Sequence, residues 1–334
     1  MGQSLLVTGG AGYVGSHVVA ALVAGGHDVV VFDNLQQGHA QAVVDGARLF
    51  VGDLADRAAV KALFRDRRFG AVLHFAANSL VGESMKLPFK YVGDNVVNAL
   101  NLIEAAVDHG VRKFVLSSTC AIFGKPERVP IDEAVTIDPG SPYGESKFMI
   151  ERILHWADEV HGMKSAALRY FNAAGAHPDL PIGEDHHTET HLIPIALEAV
   201  LGLRTHVEIY GTDYPTTDGT CVRDYVHVCD LADAHVRVLD ALETRSVRYN
   251  VGVGYGYSVR EVLDAVRRVT GAEFPIRLGP RRPGDPPVLV ADSALIRAEL
   301  GWTPKFASLE AIVATAWQWR RRNPRGFATA AAAE

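Results

Sequence analysis

Apolar residues fall in short, nearly unbroken runs along the first half of the chain. SLLVTG (4–9), DVVVFDN (28–34), ARLFVGD (47–53), AVLHFAA (71–77), KFVLSST (113–119) and KSAALRYFN (164–172) each read as a strand buried on both faces. Between them the spacing changes to the helical period, most clearly over 12–26, 88–109 and 144–161. Strands alternating with helices predict an α/β fold: a Rossmann-like, doubly wound parallel sheet with helices on both faces and right-handed crossovers.

After about residue 172 this rhythm breaks. NAAGAHPDLPIGEDHHTET (172–190) is a polar connection, followed by a helix over 191–202 and a strand near 207–210. GTDYPTTDGTCVRD (211–224) reads as a loop, then come a helix (230–242), a strand (247–251) and a helix (258–270). The expected organisation is a dinucleotide-binding unit over 1–172 and a smaller α/β substrate-binding unit over 173–334, with 224–250 as a stretch able to pack back on the first. The alanine-rich end, 328–334, is expected to fray.

Composition narrows the class without naming a reaction. The net charge of −6 and the lack of a long basic block argue against nucleic-acid binding. The dense basic stretches, 65–68 and 319–325, sit at helix ends, where cations are expected. No apolar run is long enough to span a membrane, and the first residues have no signal-peptide character. Cys120, Cys221 and Cys229 form no paired framework, so a cytoplasmic protein with reduced thiols is expected.

The first candidate chemistry is VTGGAGYVGSH. It places Gly9, Gly12 and Gly15 directly after a strand and at the opening of a helix. Glycines permit a tight turn and let backbone N–H groups approach a pyrophosphate, which the helix N-terminus also favours. Asp33 ends the next strand, where a carboxylate accepts ribose hydroxyls and repels a 2′-phosphate, so NAD is expected over NADP. Asp53 ends the third strand, beside Leu54.

The second is SPYGESK (141–147). Pro142 suits a helix entry, and Tyr143 and Lys147 share a face one turn apart. A phenol titrates near pH 10 and is a poor base at neutrality. A neighbouring ammonium together with an oxidised nicotinamide would favour phenolate and make Tyr143 a usable base.

With these motifs the chain resembles the extended short-chain dehydrogenase/reductases and, among them, the UDP-glucose 4-epimerases. FDNL, HFAA, VGES, SST, LRYFNAAGAHP, YGTDYPTTDGTCVRDYVHVCDLA and RRPGDPP carry the resemblance over nearly the whole chain. The resemblance implies an isomerase in which Tyr143 takes the proton of the sugar 4-hydroxyl, Lys147 binds the nicotinamide ribose and tunes Tyr143, and Thr119 bonds the 4-oxygen. It implies NAD held at Gly9, Gly12, Tyr13, Val14 and Gly15. Asp33, Asn34, Asp53 and Leu54 serve its adenosine end, and Phe75, Ala76 and Ala77 follow at the fourth strand. Asn95, Ser117 and Tyr170 complete that set. For a UDP-sugar it implies Asn172, His191, Leu192, Tyr210, Arg223, Tyr225, Arg282 and Asp285, the two arginines facing the diphosphate. It also implies a homodimer built on the helices at 88–109 and 144–161.

Some positions depart from the pattern. Asn78-Ser79-Leu80 stands where some epimerases carry a lysine for the cofactor phosphates, and Phe123 replaces a tyrosine. Leu289 is intermediate in bulk where size separates plain hexoses from N-acetylated sugars, leaving N-acetylhexosamine, pentose and uronate substrates as alternatives. A sugar-nucleotide dehydratase would need a carboxylate pair after Thr119, but Cys120 and Ala121 follow. A non-catalytic dinucleotide sensor would typically lack Tyr143 or Lys147. His187 and His191 have a zinc-compatible i,i+4 spacing beside His186. Solvated loop histidines and no metal are expected there.

Overall fold

Seven strands form one parallel sheet in the computed structural model, which describes residues 2–65, 67–282 and 284–327. The alanine-rich end expected to fray lies outside the described residues. The first three strands are β1 (Ser4–Thr8), β2 (Asp28–Asp33) and β3 (Ala47–Val51), with α1 (Tyr13–Ala24) between the first two and α2 (Arg57–Arg65) after the third. Then follow β4 (Ala71–His74), the short α3 (Val81–Ser84), α4 (Pro88–Asp108), β5 (Lys113–Thr119), α5 (Pro142–His161) and β6 (Lys164–Tyr170).

β1 lies between β2 and β4, with β3 beyond β2 and with β5 and β6 beyond β4. The winding direction therefore reverses between β1 and β4, and the crevice at their carboxyl ends is where such sheets bind ligands.

Alternation along the strands fills two cores. Leu5, Val7, Val29 and Val31 face α1, packing with Val18, Val19 and Leu22. Leu6, Val30, Val72, Phe114 and Leu116 face the other way, onto Val60 and Phe64 of α2, Leu102 of α4 and Ile150 and Leu154 of α5. A side-chain period of two makes each strand serve both layers.

The second half is β7 (Asn172–Ala174), α6 (Leu192–Val200), β8 (Val207–Tyr210), β9 (Val222–His227), α7 (Val228–Ala241) and β10 (Val247–Val251). It continues through β11 (Gly256–Ser258), α8 (Val259–Thr270), β12 (Ile276–Gly279), β13 (Val288–Leu289), α9 (Ala294–Leu300) and α10 (Leu309–Arg322). β10 pairs with β6 as the seventh strand of the main sheet, and α7 packs on α1. Thus 228–251 lies with the first unit, while α6, α8 and α10 enclose a separate core of Ile193, Leu197, Val262, Val266, Ile312 and Val313.

One expected loop is partly a strand. Residues 222–224, read as the end of the loop 211–224, open β9, the hub of a small sheet that pairs with β7, β11 and β13. Its polar residues at 223 and 224 disguise it. Asp224 is fully buried because its carboxylate accepts backbone N–H groups from Val253, Gly254 and Ala291 at 2.8, 2.9 and 3.2 Å.

Candidate active site

The turn from β1 into α1 requires glycine at Gly9 and Gly15. Gly9 has φ +74°, and a Cβ there would lie 2.4 Å from the Ala76 nitrogen. A Cβ on Gly15 would lie 2.1 Å from the Gly9 carbonyl oxygen. Phe75 and Ala76 close the other wall, their N–H groups donating to the Thr8 carbonyl at 2.8 and 3.1 Å. The result is a backbone-walled cradle at the start of a helix, of the kind that accepts a pyrophosphate.

Asp33 stands beside this cradle, buried, accepting N–H groups from Ala11 at 3.0 Å and Leu35 at 2.9 Å. Burial raises its pKa, and those two backbone donors oppose the rise. Each oxygen keeps a lone pair for a ribose hydroxyl. Asp53 accepts from Asn34 Nδ2 at 3.0 Å, so the two acidic strand ends are bridged, and Leu54 is buried next to them. Asn95 fastens the segment after β4: it accepts from the Asn78 N–H at 2.8 Å and donates to Ser146 Oγ at 3.0 Å.

The SPYGESK stretch forms the other wall. Ser141 caps α5 by accepting the Gly144 N–H at 3.2 Å, and Pro142 occupies the first turn. Gly144 permits a very close approach: a Cβ there would lie 2.4 Å from the Ala121 carbonyl oxygen. That contact presses the start of α5 against the carboxyl end of β5 and brings Tyr143 to Thr119. Gly144→Ala is accordingly expected to cut kcat by at least about tenfold through misplacement of Tyr143, with a lowered melting temperature. Unchanged kinetics in that variant would show that the approach is not required.

Tyr143, Thr119 and Lys147 are all buried. Burial raises the Tyr143 pKa well above the phenol range, the Tyr170 hydroxyl adds to this, and a hydrogen bond with Thr119 opposes it. Lys147 is pulled down to about 8 by burial. Its Nζ donates to the Ser117 carbonyl at 3.0 Å, and Ser117 Oγ shares a 2.7 Å hydrogen bond with Tyr170. Without the oxidised nicotinamide that the sequence reading paired with it, Lys147 does not make the phenol acidic. Desolvation dominates, and the ammonium is directed at a backbone carbonyl.

Glu151 escaped the sequence reading. It lies one further turn along the Tyr143–Lys147 face, ion-paired with Arg169 at 2.7 Å, with both side chains at most 3% exposed. It also accepts from Ser118 Oγ at 2.6 Å, directly behind the SST segment. The i, i+4, i+8 spacing was the available signal.

The second wall comes from the small sheet. Register places Asn172 opposite Tyr225 and Leu289 opposite Arg223. Asn172 Nδ2 donates to the Asp224 carbonyl at 2.9 Å. Arg223 is ion-paired with Asp285, while Arg282 lies over the Tyr210 ring, 4.1 Å from its centre. Among the described residues Arg282 has no carboxylate partner, so its charge is available to a ligand. Leu289 packs half-buried against Ile122, Phe123 and Phe171.

Leu192 opens α6 and His191 precedes it. The histidines brought together are His186 and His191, not His187 and His191, whose one-turn spacing the sequence shows. His186 and His191 meet Glu184 and Glu189 rather than standing free in solvent, whereas His187 is exposed. Desolvation pulls the pKa of the half-exposed His191 down, but the Glu184 and Glu189 carboxylates outweigh it and raise the value to about 9. Among the described residues no helix is long and apolar enough to cross a membrane.

Residues 5–252 match the NAD dependent epimerase/dehydratase family. A UDP-glucose 4-epimerase of Lacticaseibacillus casei is 50% identical over 327 residues, covering 97% of this chain and 99% of that one. A crystal structure of a UDP-glucose 4-epimerase superposes with TM-score 0.95 at 46% identity, covering 98% of this chain and all of the other. The Bifidobacterium longum enzyme, solved with NAD+ and UDP, superposes with TM-score 0.93 at 35% identity over 97% of this chain and all of that one. With family and full-length similarity agreeing, the chain belongs to the NAD-dependent epimerase/dehydratase family.

Proposed function

We propose that this protein interconverts UDP-glucose and UDP-galactose, oxidising the sugar at C4, turning the 4-keto sugar over and reducing it from the opposite face. The observation that carries this reading is 50% identity to a UDP-glucose 4-epimerase across 97% of the chain, well beyond the superfamily motifs of the first half. The glycine cradle and Asp33 suit NAD, which when bound accepts and returns the C4 hydride and, oxidised, adds a positive charge.

In this reading residues 1–172, with 228–251, hold the cofactor, and the remainder holds the nucleotide sugar. Tyr143 takes the 4-hydroxyl proton and gives it back to the opposite face's product, and Thr119 orients the 4-oxygen. Lys147 anchors the cofactor ribose. Arg282 and Arg223 meet the diphosphate, whose oxygens displace Asp285 from Arg223 and free that carboxylate for the uridine end. His191, Leu192, Tyr210 and Tyr225 line the uridine site, and Asn172 touches the sugar nucleotide beside it.

The test is to mix purified protein with UDP-galactose, without added NAD, and separate the products. UDP-glucose is the expected product. Bound cofactor with no turnover of any nucleotide sugar would instead indicate a sensor. A panel including UDP-N-acetylgalactosamine and UDP-arabinose, compared by kcat/KM, measures what Leu289 admits.

A homodimer belongs to the same proposal. α4 and α5 pack together and turn Val97, Leu100, Met149, Trp156 and Val160 outward, with Phe89 nearby at 90% exposure. Such a patch supports a self-complementary interface between two copies. Light scattering is expected to give twice the chain mass for the natural protein and a single chain mass for Trp156→Glu. A wild-type monomer would remove the dimer.

A further inference from the structure

The connection between β7 and α6 carries a cluster of which the reaction above uses His191 and leaves Glu184, His186 and Glu189 without a role. Glu184, His186, Glu189 and His191 each offer one ligand atom, and these atoms all lie within 4.8 Å of one another. His186 Nδ1 is 3.2 Å from Glu189 Oε2 and 3.6 Å from Glu184 Oε1. His191 Nδ1 is hydrogen-bonded to the same Glu184 oxygen.

The carboxylates are the unusual members. Their side chains are only 7% and 6% exposed, and no lysine or arginine pairs with either among the described residues. Arg320, which lines a small cavity with Glu184, is paired instead with Asp185 and Glu198. Two buried carboxylates paired with no lysine or arginine are costly unless positive charge reaches them, here from protonated His186 and His191 or from a bound cation. The groups facing them are imidazole nitrogens, the donors that share zinc sites with carboxylates.

We infer that Glu184, His186, Glu189 and His191 form a site for one divalent first-row cation of the zinc class. A dication would neutralise both carboxylates. Tetrahedral ligands about 2.1 Å from zinc stand roughly 3.4 Å apart. The cluster therefore needs only a modest contraction, and His191, 54% exposed, has the freedom to supply it and leaves an entry path. One carboxylate is already oriented: Glu189 Oε1 accepts the N–H groups of Thr190 and His191, both at 2.8 Å.

The position gives the ion a structural task. Tyr13 of the cofactor cradle donates to the Gly175 carbonyl at 2.6 Å, and its ring meets His186 edge-on with centres 6.3 Å apart. His39 reaches Asp185 of the same connection at 3.3 Å. An ion on the four ligands would clip this connection to the first turn of α6, fixing His191 and Leu192 relative to the cradle. It would take no part in moving electrons or protons.

The experiment uses the full chain with its cofactor, stripped of metals by chelator, dialysed and titrated with zinc chloride in a calorimeter. Saturable binding of one zinc per chain is expected, with a rise in melting temperature as bound ligand stabilises the folded state. His186→Asn and Glu189→Gln are each expected to weaken binding at least about tenfold, while His187→Asn, altered at the exposed neighbour, binds like the natural protein. Circular dichroism establishes that each variant is folded. Absence of saturable zinc binding in the natural protein would overturn the site, whatever the variants do. So would undiminished binding in folded His186→Asn and Glu189→Gln, or tighter binding of calcium than of zinc.

Discussion

Tyr143→Phe is expected to lower kcat for UDP-galactose epimerisation by about 10²–10⁴-fold, the range that general acid–base catalysis supplies. The substitution removes one hydroxyl from a buried ring whose surroundings otherwise stay in place. Cofactor content, read from absorbance and fluorescence, and the circular dichroism spectrum should both be retained. The loss should appear in kcat rather than in KM, because the proton moves only as the C4 hydride leaves. In the protein alone burial holds the phenol protonated, with Thr119 opposing. The activated base is therefore a property of the loaded site, and the phenolate should not be detectable spectroscopically in cofactor-free protein near neutrality. Near-normal turnover of Tyr143→Phe would place the base elsewhere.

Glu151→Ala is expected to destabilise the fold by about 3–5 kcal/mol, the cost of leaving a buried ionic partner unpaired. Arg169, 2% exposed, would keep its charge between the sheet and α5 with no carboxylate paired to it among the described residues, facing the Phe123 ring, 5.6 Å from its guanidinium carbon, and the more distant charge of Glu133. Ser118 would also lose its acceptor. Removing both charges in a Glu151→Met, Arg169→Met double variant should recover much of the loss, because apolar pairs often replace buried ion pairs at little cost. Urea unfolding of the natural protein, both single variants and the double variant measures the coupling. A single-variant loss below about 1 kcal/mol, the scale of an exposed pair, would show that the pair is not holding the wall of the site.

The alternating first half was readable because most of its strands are apolar on both faces and its helices carry apolar residues at the helical period; β3, expected to be buried on both faces, is instead the sheet's edge, with Phe50 and Val51 exposed. Gly9 and Gly15 were legible for a related reason, since positions that admit no Cβ limit the choice of residue, whereas Gly12 and Asp33 were legible by their spacing from these two. Other features needed three dimensions. The polar start of β9 conceals a strand whose buried Asp224 is satisfied by backbone donors from residues 253, 254 and 291. The Glu151–Arg169 pair joins a helix to a strand, and local spacing shows only the helix half. His186, rather than His187, meets His191 because the connection is not helical there, so a one-turn spacing picks the wrong ring. The direction of the Tyr143 shift depends on how completely packing excludes water, which a tyrosine four residues before a lysine does not reveal.

The strand Val247–Val251 has a topological consequence. The polypeptide leaves the seven-stranded sheet, builds part of the second core, returns to complete the first sheet's edge, and departs again. Cutting the gene after residue 172 would not yield a smaller dinucleotide-binding protein. It would strip the partner from β6, uncover the face of α1 on which α7 rests, and leave backbone groups open to pairing with other molecules. The two halves are laced together rather than hung on one hinge, so they should mature and come apart as a unit.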